Sequence, residues 1–367
     1  MKDSIPQPVI DVMQALNEAG FEAFAVGGCV RDILIGRTPK DWDVTTDATP
    51  DEVMKLFPES FYENDFGTVG VKVPRFLITT PEDKKEDVIE VTTYRIESKY
   101  TDKRRPEEVL FTKSLEKDLA RRDFTINAIA YGQKNGTWSY IDPFNGQVDL
   151  EKKVIRTVGN PEERFGEDAL RLMRAVRFYA ELRDPKETRA THNWHIEAST
   201  FAAVQKLAAN LEAISKERIR DELAKIILSQ SPSEGIQMLE DTGLLHFIMS
   251  ELREGIDVSQ NLHHIYTVWE HNLKALATCP SKKLSVRLAA LLHDVGKPRT
   301  KRGEGYQSTF YNHDHVGARM TRIMLDRLRF SRTIVDHATL LVDNHLFYYN
   351  VGEVTEASVR RLIRRVG

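Results

Sequence analysis

Apolar and polar positions alternate in short runs over roughly the first 150 residues and follow a helical repeat after that. Ile10 to Ala19 predicts a first helix, Phe21 to Val26 a buried strand, and Asp41 to Thr45 a second strand. Asp47-Ala48-Thr49-Pro50-Asp51 predicts a helix entry, with its proline near the first turn. Gly67 to Val73 alternates as a strand. A charged turn over Lys84 to Asp87 leads into the β-branched strand Val88 to Thr93. From about residue 151 strand signals fade, and Ile214 to Leu228 reads as an amphipathic helix. The expected organisation is an α/β head over 1–150, a small mixed sheet flanked by helices. An all-α neck and body over 151–240 and a further helical domain over 241–367 complete it.

Composition narrows the picture. A chain of 367 residues with 41% hydrophobic and 29% charged residues has ample material for two or three cores. The formal net charge of −3 makes any nucleic-acid face local. Two cysteines, Cys29 and Cys279, are too few for a disulfide framework or a thiolate metal cluster. No apolar run approaches membrane-spanning length and no signal peptide is evident, so a cytoplasmic location with no membrane partner is expected. Nothing in the sequence sets the oligomeric state.

The candidate chemistry centres on Gly27-Gly28-Cys29-Val30-Arg31-Asp32 and Lys40-Asp41-Trp42-Asp43-Val44. A glycine turn that opens a helix can cradle phosphate. Asp41 and Asp43, two apart on a strand, share a face, where two carboxylates repel unless a cation such as Mg²⁺ sits between them. Glu90 interrupts an apolar strand, either as a third acid of this site or as an edge-strand surface residue. Tyr94 to Phe111 is a basic, polar loop, either functional beside a phosphate site or plain solvated surface. Arg121-Arg122-Asp123 can clamp phosphate and accept from a ribose hydroxyl; taken alone it also describes a salt-bridged helix end. Asp168, Arg171, Arg174 and Arg177 recur at steps of three along a helix, as either a solvated stripe or a nucleotide-reading one. His271, His293-Asp294, His313 and His345 gather in the last third, a set suited to a divalent transition metal.

These residues together resemble the class II tRNA nucleotidyltransferase and bacterial poly(A) polymerase family. Gly27 to Asp32 with Asp41-Trp42-Asp43 is similar to its first motif, and Arg121-Arg122-Asp123 to its ribose-recognition motif. Glu167-Asp168-Ala169-Leu170-Arg171 is similar to its nucleotide template, and the C-terminal region resembles an appended HD domain. The resemblance runs in order through about residues 20–240.

The resemblance implies a template-independent enzyme that adds C and A from CTP and ATP to the tRNA 3′ end. Asp41 and Asp43 would hold two Mg²⁺ ions, one at the RNA 3′-hydroxyl and one at the triphosphate. Gly28 and Arg31 would hold the triphosphate, and Arg122 and Asp123 the sugar. Asp168 and Arg171 would read the base edge, supported by Arg174 and Arg177. His271, His293 and Asp294 would form a metal site in the HD domain. That domain is expected to break off at residue 367, short of a further ligand Asp and of the family's C-terminal tail. The Tyr94–Pro106 stretch resembles the family's flexible loop, which argues against an enzyme adding C alone. An A-adding enzyme or a poly(A) polymerase is the alternative. An HD-type metal-dependent phosphohydrolase is a further one, and a non-catalytic RNA-binding protein the weakest.

Overall fold

The computed structural model describes residues 2–64, 67–77, 85–97, 109–134, 136–184, 186, 193–260, 265–346 and 355–366. Contacts divide the chain into two compact units, 1–168 with 194–203, and 169–193 with 204–367. This differs from the three-part division expected at 150 and 240. The chain past residue 150 still contributes to the first unit, because β10 (Val154–Ile155) pairs in parallel with β11 (His195–Ile196).

The first unit is built on a seven-stranded mixed sheet. Its strands are β1 (Ala23–Val26), β2 (Asp43–Thr46), β3 (Ser60–Asn64), β4 (Thr68–Pro74), β5 (Glu86–Thr93), β8 (Ala130–Lys134) and β9 (Thr137–Ile141). They lie in the order β3-β4-β5-β2-β1-β8-β9. Within it, β2 and β5 run parallel and the other neighbours antiparallel. A separate ribbon joins β6 (Arg95–Glu97) to β7 (Val109–Phe111). The expected basic loop lies between them, and its residues 98–108 are outside the described residues.

Period-two burial separates the two faces of the sheet. On β5, Asp87, Ile89, Val91 and Thr93 are buried, while Val88 and Glu90 are exposed. Helix α3 (Pro50–Leu56) packs on β3, β4 and β5, and α1 (Gln7–Glu18) on β1. Helix α3 begins on a capping box: the Glu52 carboxylate accepts from the Thr49 N–H at 2.7 Å, and Thr49 Oγ1 accepts from the Glu52 N–H. Helices α2 (Gly28–Leu34), α4 (Leu115–Ala120), α5 (Gly146–Glu151) and α6 (Pro161–Glu167) complete the unit, with the start of α8 (Ala198–Leu207). A core of Phe24, Val26, Tyr94, Leu115, Leu119, Ala128, Ala130 and Val158 fixes α4 against the centre of the sheet.

Two local expectations change. Glu86 and Asp87 belong to β5, not to a turn, because buried Asp87 accepts the N–H groups of Phe76 and Leu77, each at 2.6 Å. Strand β2 starts at Asp43; Asp41 lies in the bend before it, and the ladder to β5 opens with the Glu90 N–H donating to the Trp42 carbonyl at 3.2 Å.

The second unit is helical: α7 (Leu170–Leu182), the end of α8, α9 (Lys216–Leu228), α10 (Pro232–Asp241), α11 (Leu245–Arg253), α12 (Val268–Thr278), α13 (Leu284–Leu292), α14 (Lys297–Thr300), α15 (His313–Arg327), α16 (Arg332–Asp343) and α17 (Glu356–Val366). Helix α9 turns Ile219, Leu223, Ile226 and Ile227 inward at helical spacing, and packs on α7, α10 and α13. Helix α16 buries Val335, Ala338 and Val342 against α13 and α15. No described helix is long and apolar enough to cross a membrane.

Candidate active site and metal centre

The first unit carries an acidic cluster on the face of its sheet that α4 covers in part. Asp43 on β2 stands directly opposite Glu90 on β5. Burial, and then the charge of Asp41, push the Asp43 carboxyl up to about 6, against the pull of Arg122. Burial, then Asp43, Glu63 and Asp41, push Glu90 up to about 7. Asp41 is exposed and acts on both through its charge. Cys29, buried beneath, is pushed up to about 12 by burial and by Asp43, so it is an inert thiol.

A turn and a pair of arginines border this cluster. Gly27 adopts φ +80° between β1 and α2, a conformation that favours glycine. A Cβ there would come within 3.0 Å of Arg122 Nη1 and 3.7 Å of Asp43 Oδ2, so turn, guanidinium and carboxylate converge. Gly28 opens α2, and the space beside it faces Arg31 Nη2. Arg31 donates to Asp32 at 2.7 Å and to Asn127 Oδ1 at 2.8 Å. Asn127 in turn donates to buried Asp123 at 3.1 Å. Asp123 also accepts the Phe124 N–H at 2.8 Å. One chain of hydrogen bonds thus fixes Arg31 and Asp123 relative to each other.

Asp118, fully buried on α4, holds the arginine pair. Its Oδ1 accepts from Arg121 Nε at 2.9 Å and from the Arg95 N–H at 3.3 Å. Its Oδ2 accepts from Thr45 Oγ1 at 3.3 Å and lies 3.5 Å from Arg122 Nη2. Burial opposes its ionisation, yet the two guanidiniums and these hydrogen bonds hold its carboxyl below the usual range. Sequence reasoning assigned Asp118 and Asn127 no role. The signal for Asp118 was its spacing of three and four residues before Arg121 and Arg122, which brings side chains together on a helix.

The residues present fit a divalent cation with a nucleoside triphosphate. The charge of Asp41 raises the proton affinity of Asp43, and both raise that of Glu90, the mark of negative charge that lacks compensation. Arg122 Nε is buried with no hydrogen-bond partner among the described residues, a donor available to a ligand oxygen.

The remaining expected nucleotide residues fall in separate places. Asp168 is not on the arginine helix: it sits past the end of α6 in extended backbone (φ −138°, ψ 106°), with Gly166 weakening the last turn before it. Arg171, Arg174 and Arg177 share α7 in the second unit. Arg171 is buried. Arg174 lies 5.4 Å and Arg177 4.2 Å from the Phe178 ring. Arg177 is also paired with Glu181 of its own helix at 3.1 Å and with buried Glu222 at 2.7 Å, the second of which ties α7 to α9.

The second unit holds a histidine cluster around Asp294. Its Oδ2 lies 3.4 Å from the Nε2 atoms of both His271 and His293, and its Oδ1 lies 3.2 Å from His313 and 3.5 Å from His345. Two sets, His271–His293–Asp294 and Asp294–His313–His345, each bring three ligand atoms within 4.8 Å of one another. His293, His313 and His345 turn their Nδ1 atoms to the carbonyls of Ala290, Phe310 and Val342, which leaves each Nε2 to face the centre. Asp294 is nearly fully buried. Burial opposes its charge, but the close contacts of His293, His313 and His345 hold it far below the usual carboxylate range. Lys297 adds an ion pair at 2.7 Å and lines the adjoining cavity of about 650 Å³. Neutral imidazoles with one carboxylate suit a transition metal. Beside the expected trio, His313 from α15 and His345 from the turn after α16 also face Asp294.

Three family assignments run in order along the chain. Poly A polymerase head domain matches residues 23–156, Probable RNA and SrmB- binding site of polymerase A residues 193–256, and HD domain residues 261–361. The CCA-adding enzyme of Geobacillus thermodenitrificans is 41% identical over 249 residues, 68% of this chain and 56% of that protein. The CCA-adding enzyme of Streptococcus mutans is 42% identical over 233 residues, 64% of this chain and 52% of its own. The chain thus spans about half the length of the curated relatives it matches. Among solved structures, the Bacillus stearothermophilus CCA-adding enzyme in complex with CTP superposes with a TM-score of 0.70 at 28% identity, covering 98% of this chain and 75% of that one. The Thermotoga maritima CCA-adding enzyme complexed with tRNA shares the fold, with a TM-score of 0.59 at 19% identity over 99% of this chain and 74% of that one. The chain belongs to the family of CCA-adding enzymes and poly(A) polymerases, with an HD domain following the head and RNA-binding segments.

Proposed function

We propose that this family member is a template-independent tRNA nucleotidyltransferase that adds C and A, from CTP and ATP, to the tRNA 3′ end. The observation that carries the reading is Asp43 set opposite Glu90, with Asp41 acting on both and with Arg122 and the Gly27 turn beside them. The RNA 3′-oxygen attacks the α-phosphorus, the bond to the bridging oxygen breaks, and pyrophosphate leaves. Asp41 and Asp43 would hold Mg²⁺, which supplies charge neutralisation to the triphosphate and acidifies the attacking hydroxyl. Glu90, with a carboxyl poised near neutrality, takes up the hydroxyl proton. Gly28 and Arg31 position the triphosphate, and Arg122 and Asp123 the sugar. Asp168 and Arg171 read the base through its exocyclic amine and ring edge, with Arg174 supporting the nucleotide from α7. The salt links of Arg177 suit it to bracing that helix. The location this reading implies is cytoplasmic.

The test is incubation with tRNA lacking its terminal CCA, with CTP and ATP separately and together. Three additions that then stop support CCA synthesis. An open ladder of A indicates a poly(A) polymerase, and a single A on tRNA ending in CC, with no C added, an A-adding enzyme.

A second activity is favoured by the five-ligand cluster of the second unit, whose Asp294 offers each oxygen to a different histidine pair. We propose a divalent transition metal there and hydrolysis of phosphate esters in the adjoining cavity. Phosphate release that survives Asp41→Ala and is lost in Asp294→Ala supports it; loss in Asp41→Ala alone refutes it.

A further inference from the structure

The cross-strand row that holds the acids continues past them to an exposed aromatic ring. Asp43 pairs with Glu90, Glu90 with Gly70, and Gly70 with Phe61. Residues directly opposite on neighbouring strands point to the same face, so Phe61 shares the face of Asp43 and Glu90. Phe61 is 40% exposed. Its ring lies flat across Gly70: a Cβ on Gly70 would come within 2.6 Å of the ring Cζ and 2.9 Å and 3.0 Å of its two ε carbons. Gly70 has no left-handed backbone that would call for glycine. The missing side chain makes room for the ring instead. Val88, on the same face two residues from Glu90, is exposed as well. A half-exposed phenyl ring held over a glycine, next to a row of carboxylates, offers a flat apolar surface.

The position selects what covers it. The Gly27 turn and Arg122 border Asp43 on the β1 side of the row, whereas Phe61 lies on the opposite side, beyond Glu90. In-line displacement places the attacking oxygen and the leaving pyrophosphate on opposite sides of the α-phosphorus. The triphosphate takes the β1 side, so the RNA 3′-hydroxyl comes from the side of Glu90. Gly70 is two strand spacings from Asp43, roughly 10 Å, about the reach of one nucleotide from its 3′-oxygen to its base.

We propose, resting on the nucleotidyl-transfer reading above, that Phe61 is the stacking platform for the 3′-terminal base of the RNA acceptor and that Gly70 seats the ring. Every nucleobase has a π-face, so the platform accepts each successive end, C or A, as the RNA grows. Phe61 is a positioning residue that acts on the acceptor and not on the incoming nucleotide.

The experiment measures steady-state kinetics, with tRNA and CTP varied separately, for wild type, Phe61→Ala and Phe61→Trp. It also records fluorescence quenching of a 2-aminopurine placed at the 3′ end of a short RNA. Phe61→Ala is expected to raise KM for tRNA roughly five- to hundredfold, the range for loss of one base–aromatic stack. KM for CTP should stay within about twofold, and Phe61→Trp should restore both the KM for tRNA and the quench. Gly70→Ala, which displaces the ring, should reproduce the tRNA defect without affecting KM for CTP. An unchanged KM for tRNA in Phe61→Ala, or an equal rise for CTP, overturns the proposal. So does a quench that Phe61→Ala leaves intact. The quench needs no turnover, so a wild type that quenches but incorporates nothing refutes the nucleotidyl-transfer reading, not the platform.

Discussion

Asp43 and Glu90 face each other across the parallel β2–β5 pairing, and the charge of Asp43 makes Glu90 harder to ionise. Their folded carboxyls titrate near about 6 and about 7, against ordinary values of 3.8 and 4.5. Between about pH 4 and 7 the folded state therefore binds more protons than the unfolded one. The stability these groups contribute is present at low pH and lost as pH rises through their folded values. In a chelator, unfolding free energy should fall across that window. Asp43→Asn should make the protein about 1–2 kcal/mol more stable than wild type at pH 8 while abolishing incorporation. Urea unfolding at pH 4.5 and 8, with a nucleotide-addition assay, checks both.

Removal of the Asp118 charge should loosen both arginines at once. Asp118→Asn leaves the guanidiniums of Arg121 and Arg122 without their buried counter-ion, which should cost about 3 kcal/mol of stability. KM for CTP and ATP should rise about tenfold or more with little change for tRNA. Equal effects on both substrates would point to general loosening of the unit.

Gly27→Ala should be more damaging than its size suggests. The substitution strains a backbone at φ +80° and drives a methyl group to within 3.0 Å of Arg122 Nη1. A loss of about 1–2 kcal/mol in thermal unfolding is expected, with a larger loss in kcat/KM for nucleotide. Near wild-type turnover would show that the turn does not approach the triphosphate.

Arg171→Ala should blur nucleotide choice. Misincorporation of UTP relative to CTP should rise about tenfold, the scale of one charged hydrogen bond to a base edge. Unchanged discrimination in a competition assay removes Arg171 from base reading.

His345→Ala tests the second unit. Affinity for Co²⁺ or Ni²⁺, followed by calorimetry and elemental analysis, should drop about tenfold or more, while CTP addition continues. A variant that binds metal as tightly as wild type shows that the His271–His293–Asp294 set suffices.

The sequence made the acids visible and hid what holds them. Asp41, Asp43 and Glu90 stood out because a carboxylate beside apolar strand residues is costly, and the signal is local. Glu90 was ambiguous because its role depends on β5 lying next to β2, a pairing across 47 residues that no local pattern encodes. Asp87 was read as a turn because its compensation comes from two N–H groups ten and eleven residues earlier. Asp168 joined the arginine stripe on spacing alone, but the chain breaks its helical course at that residue. His313 and His345 were noticed as residues, yet their convergence on Asp294 is a property of how α13, α15 and α16 pack. Phe61 carried no signal: Phe61 and Tyr62 stand side by side with no periodic pattern, and the glycine beneath the ring is on another strand.

The parallel pairing at the middle of the sheet also bears on how the head comes together. Between β2 and β5 the chain runs out through β3 and back through β4 before the two parallel strands meet. Such long-range closure is slow compared with hairpin formation, and here it is also the event that crowds the negative charges. This closure is therefore a step that the site's own chemistry resists, and a cation that arrives early would act as a folding aid before it ever served a reaction.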